Sequence, residues 1–390
     1  MQIGNLMKKE GQTKEEGDMD TYHEELASYA GTKNYIKKHP ILRYLFLELT
    51  KQCNLRCLHC GSRCPSFTGE TLVEKEKLFE VIDEVSEHVK PSQMMFCITG
   101  GEPLLRRDWY EICSYITEKG YAWGMTSNGT LIDRECAERL RESGMNTISI
   151  SLDGMKESHE RLRNVPGCFE KAVQGLRCLI ACGGFECVQV TTVVNRYNIS
   201  ELEEMYNFLR ELGVDSWKVT AVEPIGNARE NSELLLKPQE YRRMFDFILE
   251  KRQQRELDVT FGCSHFLPEK YDATVRRGHF LCGAGTAIAS ISSEGDILAC
   301  LDIEDRARTR QGNVRDDSLW EVWKNGFGMF RENHWQCSDF CKDCRDAAFC
   351  QGESWHTWNF ETNEPDVCMH KRPEIYAEGI GGEVHEDQDR

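Results

Sequence analysis

The sequence predicts an α/β protein in two parts, a parallel sheet of alternating strands and helices followed by a smaller cysteine-rich unit. Three observations lead there. Between residues 41 and 260, six apolar runs of strand length alternate with amphipathic stretches of helix length, and successive βα units imply a parallel sheet with right-handed crossovers. After about residue 261 the strands shorten and glycine and cysteine become frequent. Eight of the 19 cysteines fall between Cys263 and Cys368, the composition of a unit held by metal more than by apolar core.

In chain order, residues 1–40 read as a polar extension with little core, a short helix near Tyr22 to Tyr29, and Pro40 as its close. Strands are expected at RYLFLEL (43–49), MMFCIT (94–99), YAWGMT (121–126), TISISL (147–152), VQVTTVV (188–194) and SWKVTAV (216–222). The stretches between them, such as EKEKLFEVIDEVSEHV and SELEEMYNFLRELG, have helical periodicity, and several stop at glycine. Periodicity alone fits a doubly wound layer and a barrel, complete or partial, equally well. The expected units are 1–40, 41–260 and 261–378, with an acidic tail at 379–390.

Composition narrows the function. A formal net charge of −17 repels nucleic-acid phosphates and anionic lipid. No apolar run approaches the roughly eighteen residues of a membrane helix, and the N-terminus lacks the apolar core of a signal peptide. The expected location is cytoplasmic, with neither nucleic acid nor membrane as a partner. Cysteines in such a chain are reduced, and clustered ones read as metal ligands, iron–sulfur first.

Residues 53 to 60, CNLRCLHC, gather three cysteines and stop. They follow the first strand, at the sheet edge where parallel α/β folds bind ligands. A cubane held by Cys53, Cys57 and Cys60 keeps one iron open, as sites with chemistry to do keep a position open. Seven further cysteines of the first unit, among them Cys97 and Cys113, read as small packed hydrophobes, and Cys64 as a free thiol.

With these residues in place, the sequence resembles the radical S-adenosylmethionine enzymes, whose hallmark is CxxxCxΦC with an aromatic at Φ; His59 takes that place here. ITGGEPLLR (Gly100, Gly101, Glu102) resembles the segment that binds the methionyl amino group. TSNGT (Ser127, Asn128), SISLDG (Ser149, Ser151, Asp153) and TTVVN (Thr192, Asn195) follow at the next strand ends. Arg163 in HERLRNVPGCF matches an arginine that meets the cofactor, and EPIGNA (Glu223, Pro224, Gly226) matches a segment near the adenine. The resemblance implies a partial (β/α)6 barrel resembling part of a TIM barrel over residues 41–260. It also implies cofactor contacts from Gly100, Gly101, Glu102, Ser127, Ser151, Arg163 and Asn195.

The second unit resembles the SPASM domain, an auxiliary iron–sulfur extension of radical enzymes that modify peptides and proteins. Cys282 and Cys300 (the latter in G-x4-C after Gly295), then CKDC with Cys341 and Cys344, Cys350 and Cys368 follow its pattern. Ser354 stands where that family has a cysteine. The resemblance therefore implies one complete auxiliary 4Fe–4S cluster on Cys341, Cys344, Cys350 and Cys368. A first one would include Cys282 and Cys300, with Cys263 or Cys337 as candidates for a further ligand; zinc satisfies four cysteines as well.

The expected function is reductive cleavage of S-adenosylmethionine and hydrogen abstraction from a peptide or protein, with oxidation or a crosslink as outcome. A flavodoxin or ferredoxin is the expected electron donor. A small-molecule substrate such as a porphyrin or quinone precursor is the enzymatic alternative. A non-enzymatic electron carrier or zinc-stabilised module is the other, although neither needs an open iron beside GGEP.

Overall fold

The computed structural model describes residues 14–65, 69, 71–262, 265–267 and 271–371, with side chains from residue 24 onward. Cys263 and the acidic tail lie outside these described residues. Helix α1 (Lys14–Lys38) precedes seven strands: β1 (Tyr44–Glu48), β2 (Met95–Thr99), β3 (Ala122–Ser127), β4 (Thr147–Ser151), β5 (Cys187–Val194), β6 (Ser216–Ala221) and β7 (Asp258–Phe261). Between them run α2 (Lys75–His88), α3 (Trp109–Glu118), α4 (Arg134–Glu142), α5 (Lys156–Arg163), α6 (Cys168–Cys182), α7 (Leu202–Leu212) and α8 (Pro238–Gln254). All six expected strands are present; the short β7 adds a seventh.

Residue alternation explains how the sheet faces its helices. Along β5, Val188, Val190, Thr192 and Val194 are buried while the residues between them are half-exposed on the inner face, the period of two that a strand imposes. Helix α2 buries Leu78, Val81, Ile82 and Val85, a stripe at helical spacing. Trp123 of β3 and Trp217 of β6 are fully buried. The carboxylate of Asp133 starts α4 by accepting from the Cys136 N–H at 2.8 Å.

β1 to β7 are parallel neighbours in chain order. The cysteine-rich unit continues this sheet. Strand β8 (Ile288–Ile291) pairs parallel with β1, Leu45 opposite Ala289. Strands β9 (Asp296–Leu298) and β10 (Gly312–Asn313) extend it antiparallel. The sheet runs from β10 to β7 without closing, so the barrel is partial, and β8 turns into β9 at Gly295, whose N–H donates to Ser292 O at 2.9 Å.

Helix α1 is longer than the short helix the sequence suggests, and it contributes core. Leu26 is buried with Phe266 and Phe280, and Tyr29 Oη donates to His279 O at 2.8 Å. Apolar positions in α1 are too sparse to give a periodic signal. They find partners only because the cysteine-rich unit folds against them.

Candidate active site

Three elements fix the CNLRCLHC loop. The GGE turn after β2 comes first: Gly101 N–H donates to Thr50 O at 2.7 Å and Glu102 N–H to Gln52 O at 2.8 Å. A Cβ on Gly101 would stand 2.3 Å from the Gln52 carbonyl oxygen, so only glycine permits this approach. The end of α5 is second, with Arg56 N–H donating to Arg163 O at 3.1 Å and Leu58 N–H to Leu162 O at 2.9 Å. Third is the loop after β6. Asn227 donates its N–H to Cys60 O at 2.9 Å and its Nδ2 to Cys57 O at 3.0 Å, and Asn231 Nδ2 donates to Leu58 O at 3.0 Å.

So held, Cys53, Cys57 and Cys60 line one cavity of about 440 Å³ with Gly100, Gly101, Ser127, Asn128, Ser151 and Arg163. Among the described residues no three His, Cys, Asp or Glu side chains gather as a single ion requires; the three thiols instead border a shared space. Arg163 Nη1 lies 3.6 Å from Cys57 Sγ. Its Nε donates to Asp153 Oδ2 at 2.7 Å and its Nη2 reaches the same oxygen at 2.5 Å. Burial works against the charge on Asp153, yet Arg163 and His59 hold its carboxyl below the usual range. Burial pushes the Cys57 thiol up to about 12 against the pull of Arg163, and a cationic group bound in the cavity would favour its thiolate.

His59 lines the cavity, its Nε2 3.4 Å from Asp153 Oδ2. Its Nδ1 is buried without a partner, and burial lowers the ring to about 4. A bound group that donates to or accepts from Nδ1 would relieve that cost. Cys64 lines the same cavity, and its thiol hydrogen bonds to that of Cys60, which holds Cys60 below its ordinary value.

Two of the residues expected to contact the cofactor do not line this cavity. Glu102 does not reach the cavity wall: it is 0% exposed, and its oxygens accept from Ser127 Oγ at 2.9 Å, Asn128 N–H at 2.8 Å and Leu104 N–H at 3.3 Å. Burial raises it to about 7. The carboxylate braces the turn that presents Ser127 and Asn128. Asn195 is also fully buried away from the wall. Its Nδ2 donates to Val193 O at 3.0 Å and its Oδ1 accepts from Tyr197 N–H at 2.9 Å, which closes the loop after β5. Both positions lie just past strand ends, where the backbone N–H and C=O groups of the turn compete with a ligand for the side chain.

The reading of single residues missed several others. Lys218 of β6 lines the cavity from the inner face of the sheet, and Asp302 and His356 line it from the cysteine-rich unit. Glu223 accepts from His356 and stands 3.0 Å from His265 Nε2. For Asn227 and Asn231 a signal existed: the i, i+4 spacing in NAREN puts both amides on one side of a helical turn.

A second cavity, about 230 Å³, shares Ser62, Thr99, Gly100, Asp302 and His356 with the first. Cys282, Cys300 and Ser354 line it, so the structure brings both expected cysteines and the departing serine to one cavity. Cys341 and Cys344, Cys344 and Cys368, and Cys350 and Cys368 lie within electrostatic reach of each other. Cys337 is exposed.

Comparison with known proteins agrees with this arrangement. The family model of the radical SAM superfamily matches residues 47–209, and that of the SPASM iron–sulfur cluster-binding domain matches 282–345. An AdoMet-dependent heme synthase of Methanosarcina barkeri is 30% identical over 351 residues, covering 84% of this chain and 97% of its own. A mycofactocin maturase of Mycobacterium tuberculosis is 31% identical over 316 residues, 78% of this chain and 76% of its own. Among solved structures, anSMEcpe with bound AdoMet and a peptide superposes with a TM-score of 0.67 at 19% identity, over 86% of this chain and 96% of that one. Streptococcus suis SuiB bound to S-adenosylmethionine gives 0.68 at 18%, over 91% and 82%; at these identities the likeness is one of fold. With the three-cysteine loop, the partial barrel and the cysteine-rich extension all in place, the chain belongs to the radical SAM superfamily and is an enzyme of its SPASM-bearing branch.

Proposed function

We propose that Cys53, Cys57 and Cys60 hold a 4Fe–4S cluster and that the enzyme takes a hydrogen atom from a peptide or protein. The observation that carries the cluster assignment is the convergence of three thiols, Arg163 and the unpaired His59 nitrogen on one cavity. When bound, the cluster supplies the electron that cleaves S-adenosylmethionine to methionine and a 5′-deoxyadenosyl radical.

The chain's own residues do the rest. Arg163, anchored by Asp153, places a fixed cation beside Cys57 and in reach of a carboxylate. Ser127, Asn128 and Ser151 offer polar groups along one wall, and the backbone of Gly100 and Gly101 a close-fitting edge. The cysteine-rich unit covers the cavity's other side through Asp302 and His356, which limits water. Cys282 and Cys300, and Cys341, Cys344, Cys350 and Cys368, are proposed to hold auxiliary clusters that take electrons from the product.

Support for the peptide reading comes from a mycofactocin maturase among the relatives and a peptide complex among the structural neighbours. The heme synthase, matched over 97% of its length, favours a second reading, a tetrapyrrole in the joined cavities. The test is anaerobic turnover with S-adenosylmethionine, a reductant, and either a panel of synthetic peptides or an iron porphyrin. Peptide-dependent 5′-deoxyadenosine and a mass change in the peptide are expected. Stimulation by the porphyrin alone would transfer the assignment to the second reading, and undiminished cleavage by a Cys53→Ala, Cys57→Ala, Cys60→Ala variant would overturn the cluster site.

A further inference from the structure

Helix α1 lies outside both family matches, yet it carries a buried lysine into the cysteine-rich unit. Lys33 is 4% exposed. Its Nζ donates to the carbonyl oxygen of Phe349 at 2.6 Å, the residue before Cys350, and stands 5.0 Å from the centre of the Phe280 ring. Lys33 and Lys37 share a small cavity with Cys282 and Cys350, one cysteine from each proposed auxiliary set.

An ammonium out of water is costly unless an anion answers it. Among the described residues no carboxylate comes within ion-pair distance of Lys33. The two nearest in electrostatic effect, Asp272 and Glu353, are engaged elsewhere. Asp272 accepts from Phe280 N–H at 2.9 Å and stands 3.2 Å from His279 Nδ1; Glu353 accepts from Phe266 N–H at 2.7 Å and stands 3.5 Å from His265 Nδ1. Among the described residues the direct acceptors of Lys33 and Lys37 are neutral: the Phe349 carbonyl for Lys33, and Asn333 Oδ1 at 2.9 Å and the Glu332 carbonyl at 3.5 Å for Lys37. Cys350 and Cys282 join Asp272 and Glu353 among the groups whose negative charge supports Lys33, and the two cysteines carry that charge only as thiolates.

We propose that Lys33, assisted by Lys37, is the countercharge of the auxiliary iron–sulfur groups at Cys350 and Cys282, and that α1 thereby raises their reduction potential. A nearby cation favours the more negative, reduced state of a cluster, and cluster potentials follow local charge and hydrogen bonding. Burial works against the charge on Lys33, and Cys350 is first among the groups that support it. The inference rests on the assignment of Cys350 and Cys282 as cluster ligands.

Reductive titration of the auxiliary signals by electron paramagnetic resonance tests it, in the Cys53→Ala, Cys57→Ala, Cys60→Ala background where only auxiliary iron remains. Lys33→Met keeps the stem against Phe280 and removes the charge; its midpoint potential should fall, while Lys33→Arg should keep the original value. Full iron with an unchanged potential in Lys33→Met overturns this inference alone. Absence of auxiliary iron from the background variant overturns the ligand assignment, and the inference with it. Should Lys33→Met lose iron through misfolding, Lys37→Gln decides: a smaller fall supports the proposal and an unchanged potential rejects it.

Discussion

Gly226 presses on Cys60: a Cβ at Gly226 would stand 2.2 Å from the Cys60 carbonyl oxygen and 2.4 Å from that of Gly61. Its φ of +54° adds a backbone strain for any other residue. The loop after β6 therefore works as a splint for the cysteine loop. Gly226→Ala should displace Cys60, at a cost on the order of 1–3 kcal/mol. Loss of about four irons per chain, with the auxiliary signals intact, is the expected outcome; wild-type iron and 5′-deoxyadenosine yield would show that the loop tolerates the shift.

Glu102 serves the same site from behind its wall. Three donors converge on its two oxygens, and a glutamine offers one acceptor oxygen and an amide that repels them. Glu102→Gln should therefore loosen the Ser127–Asn128 turn and weaken S-adenosylmethionine binding by roughly 1–3 kcal/mol, about tenfold, with iron retained. Calorimetry on the anaerobic protein measures this. An unchanged affinity would separate the turn from the cofactor site.

Ser354 lines the cavity that Cys282 and Cys300 also line. On the proposed assignment, the Cys53, Cys57, Cys60 triple alanine variant should hold about eight irons per chain. Adding Cys282→Ala should bring that to about four. Iron and sulfide analysis decides, and about four irons in the triple variant alone, indifferent to Cys282→Ala, would leave only the Cys341, Cys344, Cys350 and Cys368 set.

Glu223 and His356 join the end of β6 to the cysteine-rich unit, and their titration sets a pH window. Burial would raise the carboxyl, but His356 and His265 hold Glu223 well below its ordinary 4.5. Its contribution is present above that value and lost as pH falls through the depressed one. Burial would lower His356, but Glu223 raises it above 6.5, so its contribution is complete below 6.5 and lost as pH rises through the raised value. The contact should stabilise most between about pH 4.5 and 6.5. Melting temperatures of wild type and His356→Gln should differ most there and converge on both sides; a constant difference would mean that the pair is not ionic.

Much of the site was legible because cofactor-binding loops follow strands, and the strands carry a strong period-two signal. Cys53, Cys57, Cys60, Gly100, Gly101, Ser127, Ser151 and Arg163 all line the cavity, each placed at a strand end or an adjacent helix end. Glu102 and Asn195 show the limit of that reasoning. Position along a strand says that a polar residue reaches the sheet edge, and only the packed neighbours decide whether its donors and acceptors face the ligand or the turn.

By itself the sequence determined the order of strands and helices, the three-cysteine loop and the cysteine-rich extension, because these depend on local periodicity and spacing. Tertiary structure alone decided that β8 joins β1 to carry the sheet onward and that the loop after β6 clamps Cys57 and Cys60. It also decided that α1 buries Lys33 beside Cys350. Each of these brings together residues about 170 to 320 positions apart, where no local period exists and only the closing of distant surfaces satisfies hydrogen-bonding groups and buries apolar area.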